Sequence, residues 1–275
     1  MKVFISADIE GVACVVARDD TKLEGQEYER AREWMTGEVN AAIECCLEAG
    51  ATEIVVADSH GHMRNIMAEK LHEKALLVRG SPRPGTMAEG LTAETNAAMF
   101  IGYHSMAGTA HGVLSHTYLG GTFYQIRLNG KPYGEPGINA ALAGHYGVPV
   151  VLVAGDDTVK KEVNAIMPWT ENVVTKWAIS TFSAKNLTPK ASQDAIRAGA
   201  KNALARMKDM KPLDLGKPVQ LDVDFIQAVS ADLAGDIPGM SRTGDRSLSY
   251  TGKDMLDVIK MIRLIGNCVL GTFYL

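Results

Sequence analysis

The sequence predicts an α/β fold: a parallel-sheet domain over residues 1–157 with helices on both faces, then a smaller α+β domain over residues 158–275. Three observations carry this reading. Short, near-continuous apolar runs recur at 2–7 (KVFISA), 53–57 (EIVVA), 97–103 (AAMFIGY) and 148–154 (VPVVLVA). Strands covered on both faces of a parallel sheet read this way. Helical spacing separates the first two runs, as a strand–helix–strand unit requires. Beyond Asp157 the pattern changes, with Val219, Leu221, Val223 and Phe225 alternating with Gln220, Asp222 and Asp224 in strand periodicity with one polar face.

The individual elements follow in order. Residues 29–49 place Met35, Val39, Ala42 and Cys46 on one helical face, with Gly50 as the stop. Residues 122–128 and 131–133 read as a hairpin, because Asn129-Gly130 supplies the two positive φ angles of a type I′ turn. Gly134 to Gly137 closes it, and a helix resumes over 138–146. Residues 173–180 form a strand, and alanine-rich 191–207 a helix. Thr251 with Asp254 three residues later resembles a capping box. The final helix it would open has Met255, Val258, Ile259, Ile262 and Ile265 on its apolar face.

Composition narrows the function classes. At 275 residues the chain can bury a large core without disulfides or metal. A net charge of -4 argues against nucleic acid or an anionic membrane as partner. No apolar run approaches the ~18 residues of a membrane span. The apolar start before Ser6 is too short for a signal peptide. Cys14, Cys45, Cys46 and Cys268 form neither a disulfide framework nor a zinc-finger spacing. Free thiols in a reducing compartment, hence a soluble cytoplasmic protein, are expected. There is neither a dinucleotide fingerprint nor a P-loop.

The chemistry gathers where apolar runs end. Open α/β sheets bind ligands beyond the carboxyl ends of their strands. The first run ends on Asp8 and Glu10, the second on Asp58 and His60, the third on His104, and the hairpin leads to Glu135. Each residue alone has a plain structural use as a cap, turn former or loop histidine. Several strand ends aiming carboxylates and imidazoles at one edge point instead to a metal site. Asp8, Glu10 and Glu135 would bring three negative charges into a partly buried place, which is costly without cations. Two divalent ions would leave one net positive charge, whereas one ion would leave an uncompensated anion. The donor set suits zinc, with cobalt, manganese and iron also compatible. The segment from His104 to His116 (HSMAGTAHGVLSH) is a loop rich in small residues, and one of His111 and His116 is expected to be structural.

These residues resemble the M55 metallopeptidases, the D-aminopeptidase family of bacterial dipeptide operons. The resemblance lies in Ser6-x-Asp8-x-Glu10-Gly11, Asn40, Asp58-Ser59-His60, Gly102-Tyr103-His104 and Ser115-His116. It continues through Gly134-Glu135-x-Gly137-x-Asn139-Ala140, Val153-Ala154-Gly155-Asp156-Asp157, and the stretch from Gly252 to Leu256. Each motif is weak alone; their order and spacing together are specific. The resemblance implies two zinc ions per subunit, with Asp8 bridging them. Glu10 and His60 would complete one site, His104 and Glu135 the other. It also implies His116 as the catalytic histidine, nucleophile or general base, and a ring-shaped, decamer-like homo-oligomer. Residues 1–157 would carry the chemistry, and 158–275 would serve assembly and pocket closure.

The implied reaction is aminopeptidase hydrolysis of short peptides, with a preference for N-terminal D-residues such as D-Ala resting on the resemblance alone. Paired metals would polarise the scissile carbonyl and acidify water, and His116 would move the proton. Two other readings compete: a two-metal hydrolase of another amide or a phosphoester, and a non-enzymatic α/β ligand-binding protein. A phosphate substrate calls for a basic cradle, and Arg64, Arg79 and Arg83 form no recognisable one in the sequence.

Overall fold

A computed structural model describes residues 1–270, so the last five residues of the expected second domain lie outside it. Each apolar run becomes a strand of one sheet: β1 (Lys2–Ala7), β2 (Glu53–Asp58), β4 (Ala97–Tyr103) and β7 (Val150–Asp156). With β3 (Ala75–Val78), β8 (Glu171–Ser180) and β9 (Ser183–Asn186) they form a seven-stranded sheet in the order β3-β2-β1-β4-β7-β8-β9. All pairings are parallel except β8 with β9. The chain builds outward from β1 through β2 to β3, then returns to β4 on the other side of β1 and proceeds through β7 to β8. The crevice between β1 and β4 is therefore the topological switch point, where such sheets bind ligands.

Alternate residues of the sheet feed two cores, because successive side chains of a strand point to opposite faces. Ile5 and Met99 pack with Met35 and Val39 of α1 (Tyr28–Glu48) and with Ile196 of α4 (Pro189–Arg206). Phe4 and Phe100 pack with Ile138 of α2 (Glu135–His145) and Val159 of α3 (Asp157–Ile166). Helices thus cover both faces, as the sequence predicts. The second core also takes in Leu221 and Val223 of β10 (Val219–Phe225) and Val258 and Ile262 of α6 (Met255–Val269).

A second sheet is antiparallel, ordered β11-β12-β10-β5-β6, from β5 (Phe123–Leu128), β6 (Lys131–Pro132), β10, β11 (Ser241–Gly244) and β12 (Ser247–Gly252). The helix α5 (Ala228–Gly235) packs beside it. The hairpin turn is as expected, with Asn129 and Gly130 at φ of 49° and 76°. The two sheets interleave along the chain. The β5–β6 hairpin joins the second sheet, while β8, β9 and α4 stay with the first. The division between sheets therefore does not coincide with the expected boundary at 157/158. The physical reason is local: β8 finds its parallel partner in β7, pairing Val153 with Asn172 and Ala154 with Val173.

Two helix starts also differ from expectation. α2 opens at Glu135, three residues early, with Pro136 in its first turn, where a missing N–H costs nothing. α6 is capped by Asp254 alone, which accepts from the Asp257 N–H at 3.0 Å. Thr251 instead donates its hydroxyl to Gln220, because it still belongs to β12.

Candidate metal centre

The ends of β1 and β4 are brought unusually close by two glycines. A Cβ on Gly11 would sit 1.9 Å from the Tyr103 carbonyl oxygen, and one on Gly102 would sit 2.1 Å from the Asp8 carbonyl oxygen. Gly102 also has φ +73°, a conformation that side chains resist. The Gly11 N–H donates to Gly102 O at 2.7 Å. This approach puts Asp8 and His104, both almost fully buried, across one narrow crevice.

The five predicted ligands converge there. Asp8 divides its two carboxylate oxygens: Oδ1 lies 3.5 Å from His60 Nδ1, and Oδ2 lies 3.4 Å from His104 Nε2. On the first side, Glu10 Oε2 is 2.9 Å from His60 Nδ1. On the second, Glu135 Oε2 is 3.4 Å from His104 Nε2. Donor atoms ~2.0–2.2 Å from a tetrahedral zinc lie roughly 3.3–3.6 Å from one another, so most of these spacings suit neighbours on a shared ion. Two atoms make the case sharper. Among the described residues His104 Nε2 is buried with no hydrogen-bond partner, and Glu10 Oε2 faces the His60 ring at 2.9 Å, a costly state unless positive charge occupies the place. The residues present therefore fit a divalent cation.

Each histidine is oriented by a backbone carbonyl, which can only accept. His60 Nε2 donates to Thr21 O at 2.9 Å, His104 Nδ1 to Ser105 O at 3.0 Å, and His116 Nδ1 to Leu114 O at 2.8 Å. In each ring the other nitrogen is left facing the acidic cluster, the arrangement that fixes metal-ligating imidazoles. The carboxylates are held similarly: the Ile9 N–H donates to Asp8 Oδ1 at 2.9 Å and the Tyr118 N–H to Glu135 Oε1 at 2.6 Å.

Electrostatics tell the same story. Burial alone would lower the His60 and His104 pKa values, but the facing carboxylates of Glu10, Asp8 and Glu135 outweigh it and raise both well above the usual imidazole range. Burial likewise pushes the Glu10 carboxyl up, yet His60, with His116 and His104 beyond it, holds it well below the usual carboxylate range. The cluster demands positive charge, and in the metal-free chain protons supply it.

His116 stacks on His104, with ring centroids 4.1 Å apart and planes 12° from parallel. Its Nε2 is 3.9 Å from Glu135 Oε1, and its side chain is 24% exposed against 1% for His104. It is the most exposed of the three site histidines, ahead of His60 at 15%. His111 is exposed on the same loop. A cavity of about 260 Å³ opens beside the cluster, lined by Asp8, His60, His116, Glu135, Phe123 and Ile262 among others.

Other strand-end residues take supporting roles. Asp58 turns away to accept from the Ile66 N–H at 2.7 Å and from Asn65 Nδ2 at 2.7 Å. Asp156 caps α3 through the Thr158 and Val159 N–H groups. Asn40 secures the loop at Lys70 and His72, away from the cluster. Ser6, Ser59, Tyr103 and Asn139 form one buried network: Ser6 Oγ is 2.7 Å from both Ser59 Oγ and Tyr103 Oη, and Asn139 Nδ2 donates to Tyr103 Oη at 3.0 Å. Lys176, fully buried, and Glu162, half-buried, lie beside the centre and were not singled out in the sequence. A lysine in VVTKWAIS or a glutamate in KKEV carries no mark of burial.

The chain matches the family model of the M55 peptidases, D-aminopeptidase, over residues 1–264. It belongs to the M55 D-aminopeptidase family. Among its relatives is the D-aminopeptidase of Bacillus subtilis (strain 168), 36% identical over 279 residues and covering 100% of both chains. Among solved structures, the Zn-dependent D-aminopeptidase DppA from Bacillus subtilis, described as a self-compartmentalizing protease, aligns with a TM-score of 0.95. Identity there is 34%, over 98% of each chain. The α/β fold of this M55 member is thereby that of a zinc peptidase, whereas a non-enzymatic binding protein has no support from these relatives.

Proposed function

We propose that this chain is a zinc-dependent aminopeptidase acting on short peptides with N-terminal D-residues such as D-Ala. The observation that carries the reading is the division of the Asp8 carboxylate between two buried ligand pairs, Glu10–His60 and His104–Glu135. It supports two ions per subunit with Asp8 between them. Bound there, zinc supplies Lewis-acid polarisation of a carbonyl oxygen and acidification of water.

The chain's own residues do the rest. Asp8, Glu10 and Glu135 balance the positive charge and fix its place. The three backbone carbonyls behind His60, His104 and His116 keep each imidazole in one tautomer. His116 presents Nε2 at the cavity wall, where it can take a proton as the carbonyl is attacked and return it to the leaving amine. Phe123 and Ile262 line the same cavity and give it apolar surface for a substrate side chain. One geometric fact favours a second role for His116: its ligand atom lies within 4.8 Å of those of His104 and Glu135, so it could serve as a ligand of the second ion.

Assembly and location belong to the same reading. Trp177, Ile179 and Phe182 expose large apolar surface around the β8–β9 turn, which supports a homo-oligomeric ring like the self-compartmentalizing relative. Four free cysteines suit the cytoplasm, and no helix among the described residues is long and apolar enough to cross a membrane. The direct test is hydrolysis of D-Ala- and L-Ala-led dipeptides, with and without a chelator. Release of D-Ala that stops on chelation and returns with zinc is expected; chelator-resistant release, or none from either peptide, contradicts the proposal.

A further inference from the structure

Two ionisable side chains outside the ligand set stand behind the centre, one for each half. Lys176 on β8 is fully buried. Its ammonium donates to three carbonyl oxygens: Glu10 O, Val12 O at 2.9 Å and Val15 O at 2.5 Å. All three of its donors are used. The adjacent Thr175 hydroxyl donates to Gly11 O at 2.7 Å, and Glu38 Oε1 on α1 accepts from the Ala13 N–H at 3.0 Å. The segment 10–15 belongs to no strand or helix, so side chains from β8 and α1 supply the backbone partners that a regular element would have given it. The same stretch of chain runs on to Thr21, whose carbonyl fixes the His60 ring. Glu10 thus lies in the backbone that Lys176 gathers, and the carbonyl that holds the His60 ring lies six residues beyond it.

The other half has a separate support of opposite sign. Glu162 on α3 accepts from the Met106 N–H at 2.8 Å and the Gly134 N–H at 3.1 Å. Those residues flank His104 and Glu135. Among the described residues, no hydrogen bond or ion pair of the Lys176 side chain reaches the His104–Glu135 segments, and none of the Glu162 side chain reaches 10–21.

We propose that Lys176 is a positioning residue for the Glu10–His60 half alone, so that the two ions are held by independently supported half-sites. The inference rests on the two-ion reading above. Burying an ammonium is costly unless its donors are satisfied. Replacing it strands Glu10 O and Val15 O, while Val12 O keeps the Val15 N–H at 3.2 Å, and the segment must relax to rehydrate them. Glu10 belongs to that segment, whereas His104 and Glu135 sit on segments held by Glu162, which meet it through the Gly11 N–H and Gly102 O.

The test is zinc binding by the full chain against buffered free zinc, counted as ions per chain by mass spectrometry. Substitutions that disturb groups supporting a metal ligand typically weaken metal affinity ~10- to 100-fold. Lys176→Met should show that loss for one ion and none for the other. Combined with His60→Ala it should add little, because both act on one half. Combined with His104→Ala it should leave the chain with neither ion held at wild-type affinity, following the rule that independent sites add. Should Lys176→Met fail to fold, Lys176→Gln, which keeps two donors, carries the same readout. Glu162→Gln should give the mirror pattern. A purely structural lysine would weaken both ions together with the melting temperature, and that result, or unchanged binding of both, overturns the proposal. A wild-type chain that takes up fewer than two ions overturns the two-ion reading itself, before any variant is compared.

Discussion

The carboxyl edge of the parallel sheet and the polar face of the antiparallel sheet treat the same chemistry in opposite ways. On the antiparallel sheet, polar side chains find each other. Arg127 Nη1 meets Asp224 Oδ2 at 2.5 Å, Ser247 donates to Asp224 at 2.6 Å, and Ser249 donates to Asp222 at 2.8 Å. At the carboxyl edge of the parallel sheet, Asp8, Glu10, His60, His104 and Glu135 crowd together, and among the described residues His104 Nε2 has no hydrogen-bond partner. Paired polar groups stabilise a surface. Buried groups aimed past each other are a site awaiting charge, and the contrast locates function without reference to any relative.

The largest effect should come from the residue that belongs to both halves of the edge cluster. Asp8→Ala should lose more zinc than Glu10→Ala or His104→Ala, and with it essentially all peptidase activity. Equal zinc loss in Asp8→Ala and His104→Ala proteins would remove Asp8 from its place between the ions. Next comes His116→Ala, expected to lower kcat ~100- to 10,000-fold, or about 3–5 kcal/mol of transition-state stabilisation. If His116 moves protons, both ions stay; loss of one ion would show that it is a ligand. His111→Ala, on the exposed part of the loop, should be mild.

A third prediction concerns pH in the metal-free chain. Burial lowers the His60 and His104 pKa values, but the facing carboxylates raise them overall. Their protonated forms therefore add stability that is complete below the unfolded value of 6.5 and is lost as pH rises through the raised folded values. Burial pushes Glu38 and Glu162 up to about 7, and their contribution fades in the same direction, from the ordinary 4.5 upward. Glu10, with its pKa lowered, acts oppositely, on the acid side. Thermal melts should show the metal-free protein weakening from mildly acid to alkaline pH, and the zinc-loaded protein weakening less, by the share that Glu38 and Glu162 carry in both forms. Parallel curves for the two forms would mean that zinc does not replace those protons. The smallest effect belongs to the antiparallel sheet. Arg127→Ala should cost on the order of 1 kcal/mol or less in a denaturant melt and leave zinc content unchanged.

The same contrast explains what the sequence made legible. Asp8, Glu10, His60 and His104 were readable because each follows an apolar run, where a strand's end is marked by the first residues that water or metal can claim. Glu135 was readable from the hairpin before it, although its helix starts earlier than the periodicity suggested. Sheet membership was less visible. A strand such as 171–180 looks alike whichever sheet receives it, since its partner is chosen by tertiary pairing. Lys176 and Glu162 were invisible for a related reason: a charge in a strand or helix reads as a solvent face until the backbone groups it serves are folded around it.

Zinc-edge anomalous diffraction from crystals of the unaltered protein tests the central claim most directly. Two peaks per chain are expected, one contacting Asp8, Glu10 and His60, the other Asp8, His104 and Glu135. A single peak, or two peaks that do not share Asp8, would contradict the account.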